Sequence, residues 1–452
     1  MQATGLWALW QQLLRSFACA FTRRGFRRFV EWITGLALNV EEHTITQSLI
    51  ALDRAADWKG LEAFAEYGHC KDAWVSYQLA HLLDTAPGRT WYGYQLSAVD
   101  DTKVHRSSKH VWGTCTFHEY TARCPNRATT VRAHNWVVLG AVLHNPGQPA
   151  WFLPQSGRLY FRASQLPFQH GASGPREPFR TKNDLAVELL RQQAGSTDGK
   201  PLALFDGAYA VGTVVRPLVH PEVGERRIDF LTRLRQDARL YRVPLATRQP
   251  GQRGPTPRWG TRLPPPRQGG RWPGPWQTGM AFIYGRNRQV RWKEVLCLWR
   301  VLGHDVVVKA VVAMVESYRK RFTLVSSATD LSGLQVVELF AARFRQEDGF
   351  RDLKGRLGWE ECRAWTKNPI VRTTQALFVT LSLLRLLQFR LAAAQETDWW
   401  LRPPWNRRKV RPSVLDVERL LRQHRDQIQA GLATWLEEGE KPLAEREEGV
   451  AM

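Results

Sequence analysis

The chain has 452 residues, 43% of them apolar, enough to bury a large core in two or three domains and too many for disorder to dominate. Lys and Arg number 64 against 42 Asp and Glu; the net +22 favours a polyanionic partner, because each neutralised phosphate releases condensed counterions. Twenty tryptophans and long apolar runs argue against a ribosomal or nucleic-acid-coating protein of equal charge, and no run approaches the roughly 20 apolar residues that span a bilayer.

Residues 1–88 read as a helical N-terminal domain. The opening GLWALWQQLL lacks a basic leader, which argues against a secretory signal. Arg23, Arg24, Arg27 and Arg28 precede FVEWITGLALNV, Thr44 stands where a cap would open ITQSLIALDRAA, and WKGLEAFAEYG follows. Short helices with a basic approach suit a DNA-binding module, and equally a cap packed on the next domain.

From Tyr94 the texture changes to strands, and residues 89–237 form the first part of an α/β core. YQLSAVDDT, HNWVVLGAVL and AWFLPQSGRLYFR read as three strands, DLAVELLRQQAG as a helix, and PLALFDGAY and IDFLTRLR as two further strands. Residues 238–293 hold no Asp or Glu but 12 Lys/Arg, 9 Pro and four Trp, which predicts a solvent-exposed basic loop that orders on nucleic acid. With HDVVVKAVVAMVE and RFTLVSSATD behind it, the block 238–328 is expected to be a basic, Trp-rich β insertion.

Residues 329–395 close the core with LQVVELFAARFRQEDGFRDLKGRLG and an apolar helix over 370–395. In 396–452, the Pro-broken linker WWLRPPWNRRKVRPS precedes the amphipathic VLDVERLLRQHRDQIQAGLATWLEE and an acidic end with Glu445, Glu447 and Glu448. Six cysteines, at 19, 70, 115, 124, 297 and 362, form no CxxC pair and suit free thiols in a reducing cytoplasm. The spacing of Cys115, His118, Cys124 and His134 matches no common zinc module.

Three carboxylates stand where chemistry could be done. Asp100 ends an apolar strand in VDDT, and Asp206 ends another in LFDGAY. Glu347 lies on a helical segment where Phe340, Arg343, Glu347 and Lys354 fall on one stripe, roughly 60° wide at about 100° per residue. Crowded carboxylates repel unless protonated or neutralised by a cation, so a converging trio predicts Mg²⁺ and in-line phosphoryl transfer. Paired carboxylates also serve glycoside hydrolysis, but a neutral sugar needs no such positive field.

Taken in this order and on these element types, the motifs resemble the DDE transposases of bacterial insertion sequences. The branch concerned carries Tyr-x2-Arg-x3-Glu-x6-Lys, here with Phe340 for the tyrosine, and the resemblance covers roughly residues 20–395. It implies an α/β fold: a ribonuclease-H-like mixed sheet core, a helical N-terminal domain, a β-rich insertion before the Glu helix and a helical C-terminus. It also implies a catalytic and metal-binding triad of Asp100, Asp206 and Glu347, holding two Mg²⁺ ions for which Mn²⁺ can substitute. Asp101 competes for the first place; Asp100 is preferred because it precedes Thr102 by two. Arg343, Lys354 and Phe340 are then expected at DNA, with Arg286, Arg288 and Trp292 of the insertion; Trp276, Trp292 and Trp299 are candidates by location for stacking a flipped base. The implied partners are double-stranded DNA (element ends and target) and a second copy of the chain, in a bacterial cytoplasm at the nucleoid, with no membrane. The implied activity is cut-and-paste transposition, the rivals being a nuclease of the same fold without strand transfer and an inactive, domesticated DNA-binding protein.

Overall fold

Helices fill the described N-terminal region. The structure, a computed structural model, describes residues 3–119, 129–166, 178–244, 257–316, 318, 320–393, 399–406, 409 and 411–438. Cys124 and the acidic Glu445, Glu447 and Glu448 therefore lie outside the described residues. The helices are α1 (Ala3–Arg15), α2 (Arg23–Leu38), α3 (Gln47–Ile50), α4 (Trp58–Tyr67) and α5 (Asp72–Asp84). Thr44 Oγ1 accepts from Gln47 N at 3.4 Å, but the cap position of α3 falls to Thr46, whose side chain makes no capping bond, and the helix lasts one turn before Asp53 takes φ 58°. Arg27 and Arg28, expected as a basic approach, turn instead onto the fully buried Glu31, at 3.3 and 2.8 Å, and Arg54 joins them at 3.3 Å. A buried carboxylate is tolerated only with such pairing.

One 12-stranded sheet follows. In chain order its elements and their helices are β1 (Thr90–Trp91), β2 (Tyr94–His105), β3 (Cys115–His118), β4 (Thr130–Leu143), β5 (Trp151–Tyr160), α6 (Lys182–Gly195), β6 (Lys200–Phe205), α7 (Gly212–Val219), β7 (Asp229–Arg233) and β8 (Leu240–Arg242). Then come β9 (Gln277–Ile283), β10 (Arg286–Trp299), β11 (Val307–Val315), β12 (Phe322–Ser326), α8 (Gly333–Ala342), α9 (Arg345–Gly355), α10 (Lys367–Ala393), α11 (Val414–Gln423) and α12 (Arg425–Glu438). The spatial order is β3-β4-β2-β6-β7-β12-β11-β10-β8, with β5 also on β4, β1 on β2 and β9 on β10. Among the described strands, β2–β6 and β6–β7 are the parallel pairs.

Both faces of this sheet are covered, which is why its central strands read as continuous apolar runs. The pleat sorts them. Leu96, Ala98, Leu202 and Leu204 face a core shared with α8–α11 and the N-terminal helices, whereas Val99, Ala203 and Phe205 face α6 and α7. Through α10 the two ends of the chain make one helical layer: α10 packs on β5, α2 and α4, and Trp7 of α1 meets Trp435 of α12 edge-on at 6.1 Å. Apolar all round, α10 is long enough to cross a membrane, yet 83% of its apolar window is buried inside the protein, as such a pattern requires of a core helix.

Within the β-rich block 238–328, the described part of 238–293 differs from the expected exposed loop. The block's strands β10, β11 and β12 continue the same sheet as β7, and Trp272, Trp292 and Trp299 are buried in the two main cores. Trp272 also donates to Pro264 O at 2.8 Å, so prolines and tryptophan here build packing rather than a linker. The β9–β10 hairpin turns on Tyr284 (φ 52°) and Gly285 (φ 78°), a pair of left-handed residues of the kind that two-residue hairpins need.

Candidate active site

Strand register places the two aspartates. β2 and β6 run parallel with Val99 opposite Phe205 as their last pair, so Asp100 and Asp206 are the next step of the same register. Asp206 keeps an extended backbone (φ −72°, ψ 163°) before a 3-10 turn over Gly207–Tyr209. The two carboxylates thus leave neighbouring strands, whose backbones lie about 4.8 Å apart. Asp206 is exposed; its Oδ1 accepts from Gly207 N, and its carbonyl accepts from Thr232 Oγ1 at 3.1 Å on the next parallel strand.

Alternation along β2 separates Asp100 from Asp101. Asp100 shares the face of Ala98 with α9, and its Oδ2 accepts from Arg343 Nη1 at 3.2 Å. Asp101 points to the α6–α7 side, where Lys182 Nζ stands 2.5 Å from Oδ2 and Tyr209 donates its hydroxyl to Oδ1 at 3.2 Å. Burial raises Asp100 to about 6; the Arg343 charge and the Asp101 N–H oppose that rise, while the Asp101 and Asp206 carboxylates add to it. Burial and the same three carboxylates push Tyr209 far above the ordinary phenol range.

Glu347 reaches the site from a broken helix. The single stripe expected through Phe340, Arg343, Glu347 and Lys354 is interrupted: α8 ends at Ala342 and α9 starts at Arg345. Across the joint the hydrogen bonds tighten to i−3, from Arg343 N to Phe340 O (3.2 Å) and Glu347 N to Phe344 O (3.2 Å). Glu347 and Asp348 fall in the first turn of α9, where the helix dipole favours a carboxylate. The Glu347 side chain is 61% exposed, and its Oε1 lies 3.9 Å from Arg343 Nη2. The buried Arg343 guanidinium therefore bridges Asp100 and Glu347, resting against the Phe344 ring at 5.0 Å.

Lys354 donates to Lys103 O of β2 and lies 3.8 Å from Glu360 Oε1; burial lowers its pKa, against the attraction of Glu360 and Glu119. Phe340 is buried in the wall of a cavity of about 350 Å³ that Tyr284, Tyr318, Phe344, Arg233, Lys320 and Arg321 complete. Tyr284, at the hairpin tip, meets Phe344 edge-on at 5.3 Å, and burial raises it to about 12. Arg288 stands over Tyr318 at 5.5 Å, while Arg286 is exposed on the other side of the turn. Trp292 is 6% exposed and offers no ring face to a base.

Sequence reasoning passed over Lys182, Tyr209, Tyr284 and Tyr318. Tyr209 carried a signal, since it stands three residues after Asp206 in the quoted LFDGAY. Tyr284 and Tyr318 carried none short of the strand pairing.

Among the described residues no three His, Cys, Asp or Glu side chains gather tightly enough to hold a metal ion as they stand. The donor set nonetheless suits a hard divalent cation: the carboxylates supply only oxygen, two leave adjacent strands in register, and Asp100 is raised partly by its acidic neighbours. Glu347, on an exposed side chain, is free to turn toward them.

The profile of a family described as "DDE superfamily endonuclease" matches residues 16–301. No curated protein matches. Among solved structures, similarity is found to "Cryo-EM structure of piggyBac transposase synaptic complex with hairpin DNA (SNHP)", at 9% identity and a TM-score of 0.42, over 90% of this chain and 71% of that one. The family match extends over more than half of the 452 residues and takes in both strand-end aspartates, so the chain belongs to the DDE superfamily endonucleases.

Proposed function

We propose that this chain is a DNA transposase that cuts at the ends of a bacterial insertion sequence and joins them to target DNA. The observation that carries the reading is the register of Asp100 and Asp206 at the ends of adjacent parallel strands, with Arg343 linking Asp100 to Glu347. The order β5-β4-β2-β6-β7, with β2, β6 and β7 parallel, supports a ribonuclease-H-like core within it. The net charge of +22 supports DNA as the partner.

In this reading Asp100, Asp206 and Glu347 hold divalent cations, Mg²⁺ or Mn²⁺. When bound, these activate the attacking oxygen and stabilise the leaving one. Arg343 keeps Asp100 and Glu347 aimed at one point, its own place fixed by burial against Phe344. Lys354, tied to the β2 backbone, presents positive charge along the approach of the scissile strand. Asp101 stays outside the chemistry and locks the Gly207–Tyr209 turn and the start of α6 onto β2. The chain acts as a homodimer holding two ends, at the bacterial nucleoid. Its helical N-terminal region, 1–88, contributes to DNA binding, and the 238–328 strands support the Glu347 helix from the hairpin tip.

The test is incubation of the full chain with duplex carrying the gene's own flanking sequence and Mg²⁺. Nicking at the element boundary is expected, and Asp206→Asn or Glu347→Gln should lose about a thousandfold in rate, or roughly 4 kcal/mol of transition-state stabilisation. Nicking that survives either change overturns the assignment. The family description, an endonuclease, also favours a second reading, cutting without joining. A strand-joining assay with pre-cut ends separates the two.

A further inference from the structure

On the far side of α9 from Glu347 and Lys354 lies a cleft of about 660 Å³. At about 100° per residue, Arg345, Asp348 and Asp352 turn toward it while Glu347 turns away. Its other walls are the start of β5, the Tyr284–Gly285 turn and the segment leading into α11. The described residues of the expected linker thus close one side of a groove.

Among the described residues, eight arginines and lysines line this cleft against two carboxylates. Both carboxylates are already engaged. Asp348 accepts from Arg345 at 2.7 Å and Arg351 at 2.8 Å, and Asp352 from Arg385 at 2.7 Å and Arg356 at 3.2 Å. Arg411 has no carboxylate partner among the described residues. It donates to Pro149 O at 2.8 Å and lies over the Trp151 ring at 5.0 Å. Burial, then the like charges of Arg345 and Arg385, push it down to about 9, against the weaker attraction of Asp348, which Arg345 and Arg351 already hold. A guanidinium held among like charges is stabilised by a further anion, and among the described residues no carboxylate is left unengaged in the cleft to supply it. At the rim, Trp405 is 83% exposed, an indole free to lie on a sugar or base.

We propose that this cleft holds the sugar-phosphate backbone of DNA, at a stretch distinct from the one that faces the carboxylates. That the polyanion is DNA rests on the reading of the chain as a DNA-cutting enzyme; the demand for a polyanion rests on the cleft alone. One helix, α9, then meets nucleic acid on two sides.

The experiment uses the full chain in EDTA, with a fluorescent random-sequence duplex titrated at several salt concentrations. Arg351 and Arg419, whose side chains are 74% and 48% exposed, can be changed without opening the core. Arg351→Glu with Arg419→Glu should weaken binding at least tenfold and reduce the slope of log K against log salt by about two, since each phosphate contact contributes about 0.9. Arg351→Lys with Arg419→Lys, which keeps the charge, should retain affinity within about twofold. Wild-type affinity and slope in the Glu pair overturn the proposal, and so does an equal loss in the Lys pair. The catalytic reading is judged separately. Wild-type cleavage with no binding loss in the Glu pair sinks the cleft alone, whereas a binding loss in a chain that cuts no DNA supports the cleft and sinks the catalytic reading.

Discussion

Asp100→Asn should stabilise the fold while abolishing cleavage. Raising a carboxyl from 3.8 to about 6 corresponds to about 3 kcal/mol, at 1.36 kcal/mol per pH unit. The Asp100 side chain is only 23% exposed, so solvent screens little of this. The folded chain binds more protons than the unfolded one between about pH 4 and pH 6, so stability falls as pH rises through that window and the full cost is present above it. Asparagine, uncharged and still able to accept from Arg343, removes the cost. At roughly 2.1 cal/mol/K of unfolding entropy per residue, 452 residues melting together shift by about 3 °C. The assay is thermal melting in EDTA from pH 4 to pH 8, paired with cleavage in Mg²⁺. The gain should be near zero at pH 4 and complete by about pH 7. A variant that melts below wild type at pH 8, or gains equally at every pH, refutes the reasoning.

The neighbouring carboxylate should behave oppositely. Asp101→Asn loses the Lys182 ion pair of 2.5 Å on the other face of β2, so stability should fall by about 1–2 kcal/mol in urea unfolding while cleavage stays within about tenfold of wild type. Glu418 is raised to about 7 by burial, with Asp352 adding and Arg422 and Arg356 opposing, and its Oε1 has no hydrogen-bond partner. Glu418→Gln should therefore gain roughly 3 kcal/mol at pH 8, fading to nothing below about pH 4.5, as followed by melting temperature. Gly35→Ala would set a Cβ 2.2 Å from Ser48 O where α2 crosses α3, costing about 1–3 kcal/mol in denaturant unfolding.

The strands that carry Asp100 and Asp206 were legible because both their faces are buried, which leaves an apolar run stopping abruptly at an acid. Glu347 was legible through its spacing from Arg343 and Lys354, but the break in its helix was not. The apolar period runs unbroken across Ala341–Phe344, and what interrupts the helix is tertiary: Arg343 bonds to Asp100, and Gln346 Nε2 donates to Val138 O at 3.1 Å. β10 was hidden in basic, proline-flanked composition. Its middle sets exposed Arg291 between buried Val290 and Trp292, a half-buried pattern, before Cys297–Trp299 are buried without a break. Arg27 and Arg28 misled for a simpler reason. A run of arginines reads as surface, and only the fold shows the buried acid, Glu31, onto which two of them turn.

The joint at Arg343–Phe344 also decides how this enzyme can tolerate change in length. In an unbroken helix, one residue inserted ahead of Glu347 would swing its carboxylate by about 100° and advance it 1.5 Å, misaiming it. Here α9 has its own moorings, through Gln346 on β4 and through Asp352 paired with Arg385 of α10 at 2.7 Å. Insertions or deletions in α8, or in the hairpin it covers, can be absorbed by re-kinking at two residues. The upstream strands are thereby free to diverge while the Glu347 carboxylate keeps its aim.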